Sequence, residues 1–120
     1  MNKKILVVDD EPDLLELVTF RLENSGFRIL YARDAETALE ILKKEIPDLI
    51  LLDLLLPKLQ GDDLCRMLKK DKKYKKIPIL IFTASIVRVP SNFASMGAED
   101  YILKPFEADD LIEKINYLTK

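Results

Sequence analysis

The sequence contains no histidine, a single cysteine and no long apolar run. Without histidine, the chain cannot build the familiar Cys/His zinc sites or a His-based catalytic triad. Its one thiol, Cys65, has no second cysteine with which to form an intramolecular disulfide. The basic start is followed by only four consecutive apolar residues, too few for a signal-peptide core or a membrane span. We therefore expect a cytoplasmic protein without a membrane partner.

The composition is that of one globular domain. Of the 120 residues, 48% are hydrophobic and 33% are charged, which provides for a core and argues against disorder. We expect a single domain over residues 1–120.

The net charge of −2 gives no general attraction to nucleic acid. Six lysines between residues 69 and 76 have Tyr74 as their only aromatic neighbour within the run, so they are interpreted as a solvated helix end and loop. Direct binding of nucleic acid is not expected.

Five short apolar runs alternate with segments of helical period. One such segment carries Leu14, Leu15, Val18 and Leu22, the spacing of an amphipathic helix. Runs with no hydrophilic face, such as ILLDLLL, are expected where helices cover both sides of a sheet. The pattern predicts an α/β fold, a doubly wound five-stranded parallel sheet with helices on both faces. The predicted strands are residues 4–8, 27–32, 48–53, 77–82 and 100–104.

Local signals mark the helix ends and one irregular crossover. Pro12 suits a first helical turn, Gly26 a left-handed cap after a helix, and Asp34 the residue before one. Between the fourth and fifth strands, Pro90 predicts a long loop and then a fourth helix that is short or irregular. The apolar residues at 86, 87 and 89 either pack on the domain's own edge or form an exposed contact for a partner.

Polar side chains stand at the ends of four predicted strands: Asp9 and Asp10, Asp53, Thr83, and Lys104. In a sheet of the flavodoxin-like order 2-1-3-4-5, the first and third strands are neighbours about 5 Å apart, so the three aspartates converge. Each pair of like charges at such distances repels by roughly 1 to 4 kcal/mol, and the cluster needs a cation. Oxygen ligands without histidine or thiolate favour Mg²⁺, with Mn²⁺ also possible.

Taken singly, these residues have simpler interpretations. Asp10 alone is typical of a helix cap, Lys104 of a surface charge and Thr83 of a residue that favours strands. Asp53 differs, because a carboxylate at the end of so apolar a strand carries a desolvation cost. The joint occurrence at successive strand ends favours a functional site.

The segments VVDDEP, LLDLLLP, FTA and GAEDYILKPF resemble the receiver domain of two-component response regulators, similar to chemotaxis regulators. The resemblance covers essentially the whole chain. It implies that Asp53 is the phosphoacceptor, with Mg²⁺ bound by Asp10, Asp53 and the backbone carbonyl of Leu55, and by Asp9 through a bound water. It further implies phosphoryl contacts from Thr83, Ala84 and Lys104, a switch formed by Thr83 and Tyr101, and a cis peptide bond before Pro105.

The resemblance also implies partners. The phosphoryl group would come from a sensor histidine kinase or a phosphotransfer protein, and the chain would be a monomer or weak homodimer. A downstream protein would bind the face made by the fourth helix, the fifth strand and the fifth helix. The domain would be no enzyme beyond catalysing its own phosphorylation and dephosphorylation.

Three alternatives are open. A metal-dependent phosphatase would also use Asp53, but it normally needs an aspartate two positions later, where Leu55 stands. A flavin carrier shares the fold, yet DDEPD after the first strand would repel a phosphate. A receiver that acts only as a phosphorylation-independent scaffold would be expected to lack an aspartate or the lysine, and this chain has them all.

Overall fold

The computed structural model describes residues 2–56, 60–84 and 95–120. The strands are β1 (Lys4–Val8), β2 (Arg28–Ala32), β3 (Leu49–Leu52), β4 (Ile79–Thr83) and β5 (Asp100–Leu103). The helices are α1 (Pro12–Asn24), α2 (Ala35–Lys44), α3 (Gly61–Lys70) and α4 (Ala108–Leu118), the last being the fifth helix of the sequence prediction. All paired strands are parallel and their order is β2-β1-β3-β4-β5, so the predicted flavodoxin-like sheet is confirmed.

Alternate residues of β1 pack on opposite faces of the sheet. Leu6 and Val8 lie in a buried cluster with residues of α2 and α3, whereas Ile5 and Val7 lie in a second cluster with residues of α1 and α4. The strand β3 is buried at all four positions. A strand needs no hydrophilic face when helices cover both of its sides. The prediction of helices on both faces is therefore confirmed.

The predicted helix ends are also confirmed. Pro12 is the first residue of α1, where its missing N–H costs no helical hydrogen bond. After α1, Gly26 has a φ of 95°, and the N–H of Phe27 donates to the carbonyl of Leu22 at 3.1 Å, which is the long bond of a Schellman motif. Asp34 caps α2 by accepting a first-turn N–H at 2.7 Å.

Some predictions fall outside the described residues. The fourth helix expected near Pro90 and the apolar residues 86, 87 and 89 belong to the segment 85–94, which the structure does not describe. Among the described helices, none has the length and apolarity needed to cross a bilayer.

Gly61 begins α3 in direct contact with the turn after β3. Its N–H donates to the carbonyl of Leu54 at 2.9 Å. A Cβ atom at this position would overlap the carbonyl oxygen of Asp53 and lie only 2.7 Å from the Cα of Leu54. Because both neighbours are backbone atoms, they cannot give way by a side-chain rotation. Only glycine allows α3 to start this close to Asp53.

We predict that Gly61→Ala lowers the free energy of unfolding by about 3 kcal/mol, since the added methyl group must displace the backbone of β3 or α3. Urea denaturation measures the change. Gly26→Ala is the matched control, because a Cβ there meets nothing within 4 Å and the cost is limited to the positive φ, about 1 kcal/mol. Equal losses in the two variants would contradict the steric account of Gly61.

Candidate functional site

Backbone hydrogen bonds extend the sheet one residue beyond three of its strands and fix the site residues there, including Asp9, whose N–H donates to the carbonyl of Ala32 at 3.0 Å. The N–H of Asp53 donates to the carbonyl of Val8 at 3.0 Å, and the N–H of Lys104 donates to the carbonyl of Thr83 at 2.9 Å. Asp9 directly follows β1, the neighbour of β3. These residues therefore start from rigid positions at the carboxyl edge of the sheet, where α/β folds bind ligands.

Asp9, Asp10 and Asp53 form one acidic cluster. Each offers a carboxylate oxygen, and these oxygens all lie within 4.8 Å of one another. Asp9 is fully buried and Asp53 is 3% exposed, whereas Asp10 is open to solvent. Glu11, not Asp10, is the N-cap residue directly before α1, so the helix-cap interpretation of Asp10 is wrong. The grouping of three hard oxygen donors fits a divalent cation such as Mg²⁺.

Lys104 places a positive charge directly against this cluster. Its Nζ atom lies 2.8 Å from Oδ2 of Asp9 and 3.2 Å from Oδ2 of Asp53. The side chain is only 12% exposed, so these contacts are poorly screened by water. The interpretation of Lys104 as a surface charge is therefore wrong: its ammonium group is directed into the site.

Burial and charge oppose each other at Asp53 and Lys104. Burial raises the pKa of the Asp53 carboxyl, the charge of Asp9 raises it further, and the charge of Lys104 only partly offsets them. For Lys104, burial by itself lowers the pKa, but the hydrogen bond to Asp9 and the charges of Asp53 and Asp9 outweigh it, and the pKa is raised. The lysine is therefore charged at neutral pH. The stability of the ionised form of Asp53 depends on the cations near it.

Two further predicted residues border the cluster through their backbone. The N–H of Leu55 donates to Oδ1 of Asp53 at 3.3 Å, so the backbone turns toward the Asp53 carboxylate, while the Leu55 side chain is about half exposed. The peptide bond between Lys104 and Pro105 is cis, as the resemblance implied.

The remaining predicted residues lie at the end of β4 and within β5. Thr83, the last residue of β4, is fully buried, and Ala84 after it is exposed. Tyr101 lies in β5, is partly exposed and packs against the buried cluster shared by α2 and α3. The structure thus brings Asp9, Asp10, Asp53 and Lys104 together, with Thr83 and Ala84 on the adjacent strand and Tyr101 outside the acidic cluster.

Two neighbours of Lys104 were missed in the sequence. The Oε1 atom of Glu11 lies 3.6 Å from the lysine Nζ, and the same nitrogen lies 4.6 Å from the centroid of the Phe82 ring. Glu11 stands directly after the two aspartates in DDEP, which was a usable signal. Phe82 was interpreted only as a strand residue, and no spacing rule relates it to Lys104.

Cys65 takes no part in the site. Its thiol is buried in α3 and donates to the carbonyl of Met96 at 3.4 Å. Burial raises the pKa of this thiol to about 12. The group therefore stays protonated at neutral pH and contributes packing.

The sequence model described as "Response regulator receiver domain" matches residues 5–116. The chain belongs to this family. Among its relatives are the alkaline phosphatase synthesis transcriptional regulatory protein PhoP of Bacillus subtilis, 40% identical over 100% of this chain and 50% of PhoP, and the DNA-binding response regulator MtrA of Mycolicibacterium smegmatis, 39% identical over 96% of this chain and 50% of MtrA. The receiver chain thus spans about half the length of these regulators.

Solved structures give the same assignment. The receiver domain of the sensor histidine kinase PA1611 from Pseudomonas aeruginosa, which has a magnesium ion coordinated in its active-site cleft, superposes with a TM-score of 0.91 at 26% identity, covering 99% of this chain and 98% of that one. The signal receiver domain of a histidine kinase from Syntrophus aciditrophicus gives 0.91 at 32% identity, over 98% and 89% of the two chains. This protein is accordingly a receiver domain of two-component signalling.

The expectation that nucleic acid is no partner is wrong. MtrA, to which the receiver is 39% identical, is a DNA-binding response regulator. The expectation rested on the net charge and lysine distribution of these 120 residues. Such a charge count says nothing about DNA contacts made by a regulator twice as long.

We predict that Lys104→Met lowers the free energy of unfolding by about 2 kcal/mol, because Asp9 and Asp53 are left without their shared cation in a poorly hydrated site. Urea denaturation in the presence of a chelator measures this loss without a metal ion in the cluster. Adding Asp9→Asn to the same variant removes one of the two repelling charges and should recover about half of the loss. A Lys104→Met variant as stable as the parent would contradict the account.

Proposed function

We propose that residues 1–120 form one phosphoacceptor receiver domain, in which Asp53 accepts a phosphoryl group from a histidine kinase in a magnesium-dependent reaction. The observation that carries the proposal is the convergence of Asp9, Asp10 and Asp53 within 4.8 Å, with the ammonium group of Lys104 against two of them. A cytoplasmic location stays a prediction from the sequence.

The cluster offers the ligands that such a reaction needs. Asp10 and Asp53 would bind Mg²⁺ directly, together with the carbonyl of Leu55, and Asp9 would act through a bound water. The metal, when bound, neutralises charge on the phosphoryl oxygens. Asp10 is exposed and can receive the ion from solvent, whereas Asp9 and Asp53 lie behind it.

The protein's own residues position the reacting groups. The Asp53 carboxylate is the nucleophile: one of its oxygens forms the new bond to phosphorus while the bond from phosphorus to the donor nitrogen breaks. The ammonium of Lys104 pairs with a phosphoryl oxygen, and the Thr83 hydroxyl donates to another. Ala84 has a small side chain and leaves room for the group. Catalysis is thus chiefly positioning and electrostatic stabilisation, and it serves the domain's own phosphorylation and dephosphorylation.

The same residues provide a switch. Once Thr83 is drawn to the phosphoryl group, space opens for Tyr101 to turn inward. Tyr101 is partly exposed on β5, so an inward turn of its side chain would change the surface of the domain there. The proposal therefore links one covalent change at Asp53 to a change on the surface around β5.

We predict that incubation with acetyl phosphate and Mg²⁺ adds one phosphoryl group to the chain. Intact-mass spectrometry measures the addition. Asp53→Asn should add none, because an amide nitrogen or oxygen is a far weaker nucleophile than a carboxylate, and a chelator should abolish the reaction of the parent. No addition to the parent, or equal addition to Asp53→Asn, would favour the scaffold alternative, in which the domain acts without phosphorylation.

We also predict that Mg²⁺ stabilises the folded chain. A ligand at about ten times its dissociation constant adds about 1.4 kcal/mol to the free energy of unfolding. Asp10→Ala should remove this gain and leave the metal-free chain at least as stable as the parent, because the side chain is exposed and one of the three repelling charges is lost. Asp13→Ala, at an exposed acidic residue in the first turn of α1, is the matched control and should keep the gain. A gain that persists in Asp10→Ala, or that falls equally in the two variants, would point to nonspecific cation binding.

A further inference from the structure

We propose that Phe82 is a positioning residue for Lys104, with its ring face holding the ammonium group at the phosphoryl site throughout the reaction. The inference rests on the proposed function, because it concerns the role assigned there to Lys104. The residue that it adds, Phe82, belongs to the apolar core. No described contact joins its side chain to the carboxylates of Asp9, Asp10 or Asp53.

The geometry is that of a cation–π interaction. The Nζ atom of Lys104 lies 4.6 Å from the centroid of the Phe82 ring, within the range of about 6 Å in which the ring quadrupole attracts a cation. Phe82 is fully buried. It immediately precedes Thr83 at the end of β4, so the ring is carried by a central strand that reaches the site.

A second aromatic ring supports the orientation of the first. Phe106, two residues after Lys104, packs on Phe82 with 6.3 Å between ring centroids and an angle of 55° between ring planes. Tilted pairs at this separation are favourable in proteins. Because Phe82 has no exposed surface, its ring has no free space in which to turn away from the lysine.

Phosphorylation would change the ionic contacts of Lys104 but not its contact with the Phe82 ring. Asp9, Asp53 and Glu11 hold the ammonium through negative charge, at 2.8, 3.2 and 3.6 Å. Phosphorylation converts Asp53 into a mixed anhydride, and a bound cation competes with the lysine for the carboxylates. The ring quadrupole is unaffected by either event. Phe82 therefore gives the ammonium a fixed contact while its ionic contacts are exchanged.

Packing alone does not require an aromatic ring at this position. Leu80, two residues earlier on the same strand, lies in the same buried cluster, so a leucine side chain is compatible with this face of the sheet. Phe82→Leu thus removes the quadrupole with a limited loss of packing. Phe27→Leu is the matched control, because Phe27 belongs to the same cluster but precedes β2, at the opposite edge of the sheet.

Binding of beryllofluoride, a phosphoryl analogue, and of Mg²⁺ alone separates positioning from general damage. We expect Phe82→Leu to weaken beryllofluoride binding about fivefold, the ratio that a typical cation–π contact provides, while the affinity for Mg²⁺ stays within about twofold of the parent. Phe27→Leu should leave both affinities unchanged. A parallel loss of both affinities in Phe82→Leu, or no loss of either, would overturn the proposal.

Ring fluorination tests the same contact in a side chain of nearly unchanged shape. Replacing Phe82 by 4-fluorophenylalanine and then by 3,4,5-trifluorophenylalanine reduces the negative electrostatic potential of the ring face in two steps. The affinity for beryllofluoride should fall in the same order. An affinity that does not follow the fluorine number would overturn the role of the ring. If the unmodified protein binds no beryllofluoride and gains no phosphoryl group, the proposed function fails, and the positioning role fails with it.

The contact can also be measured without any phosphoryl group. Methylene protons above a ring face are shielded by the ring current. In NMR spectra of the metal-free protein, the Lys104 methylene protons nearest the nitrogen should therefore resonate upfield of those of exposed lysines. Phe82→Leu should abolish this upfield shift. Ordinary lysine shifts in the parent protein would overturn the geometry, whatever the outcome of the binding measurements.

Discussion

The repulsion among three carboxylates at neighbouring strand ends is the constraint on which the site depends. Asp9 and Asp53 are buried, so neither can relieve the repulsion by turning into solvent. Lys104, whose ammonium group contacts both of them, lowers that energy in the folded chain without removing the need for a second cation. A folded state that is left short of positive charge is well suited to bind a metal ion.

The sheet makes this arrangement possible because its order brings distant segments together. Asp9 and Asp53 are far apart in sequence, but β1 and β3 are hydrogen-bonded neighbours, with Val8 opposite Leu52. The cluster is therefore only as well defined as the register of this pair. A slip of β3 by one residue would exchange the residues that face the two cores and would move Asp53 relative to Asp9.

Much of the fold was predictable because its signals are local and repeat. Apolar runs, Pro12, Gly26 and the Asp34 cap each follow from short-range chemistry, and their alternation limits the topology to very few choices. The acidic cluster was predictable too, once the strand order placed its residues on one edge.

The rest depended on packing that no sequence pattern records. Nothing in the run IPILIF distinguishes a phenylalanine that contacts Lys104 from one that only fills the core. The same holds for Gly61, whose close approach to Asp53 appears only when β3 and α3 are placed together. The nucleic-acid expectation failed for a different reason: the charge of one domain does not report on regulators of twice its length.

The contact at Gly61 has a mechanical consequence. Where two elements meet through side chains, a small shift of one is absorbed by torsions of the other. Here the first residue of α3 meets the main chain of Asp53 and Leu54 with no side chain between them. A displacement of the Asp53 carbonyl would therefore have to be matched by the first turn of α3, because no side-chain torsion lies between them to absorb it.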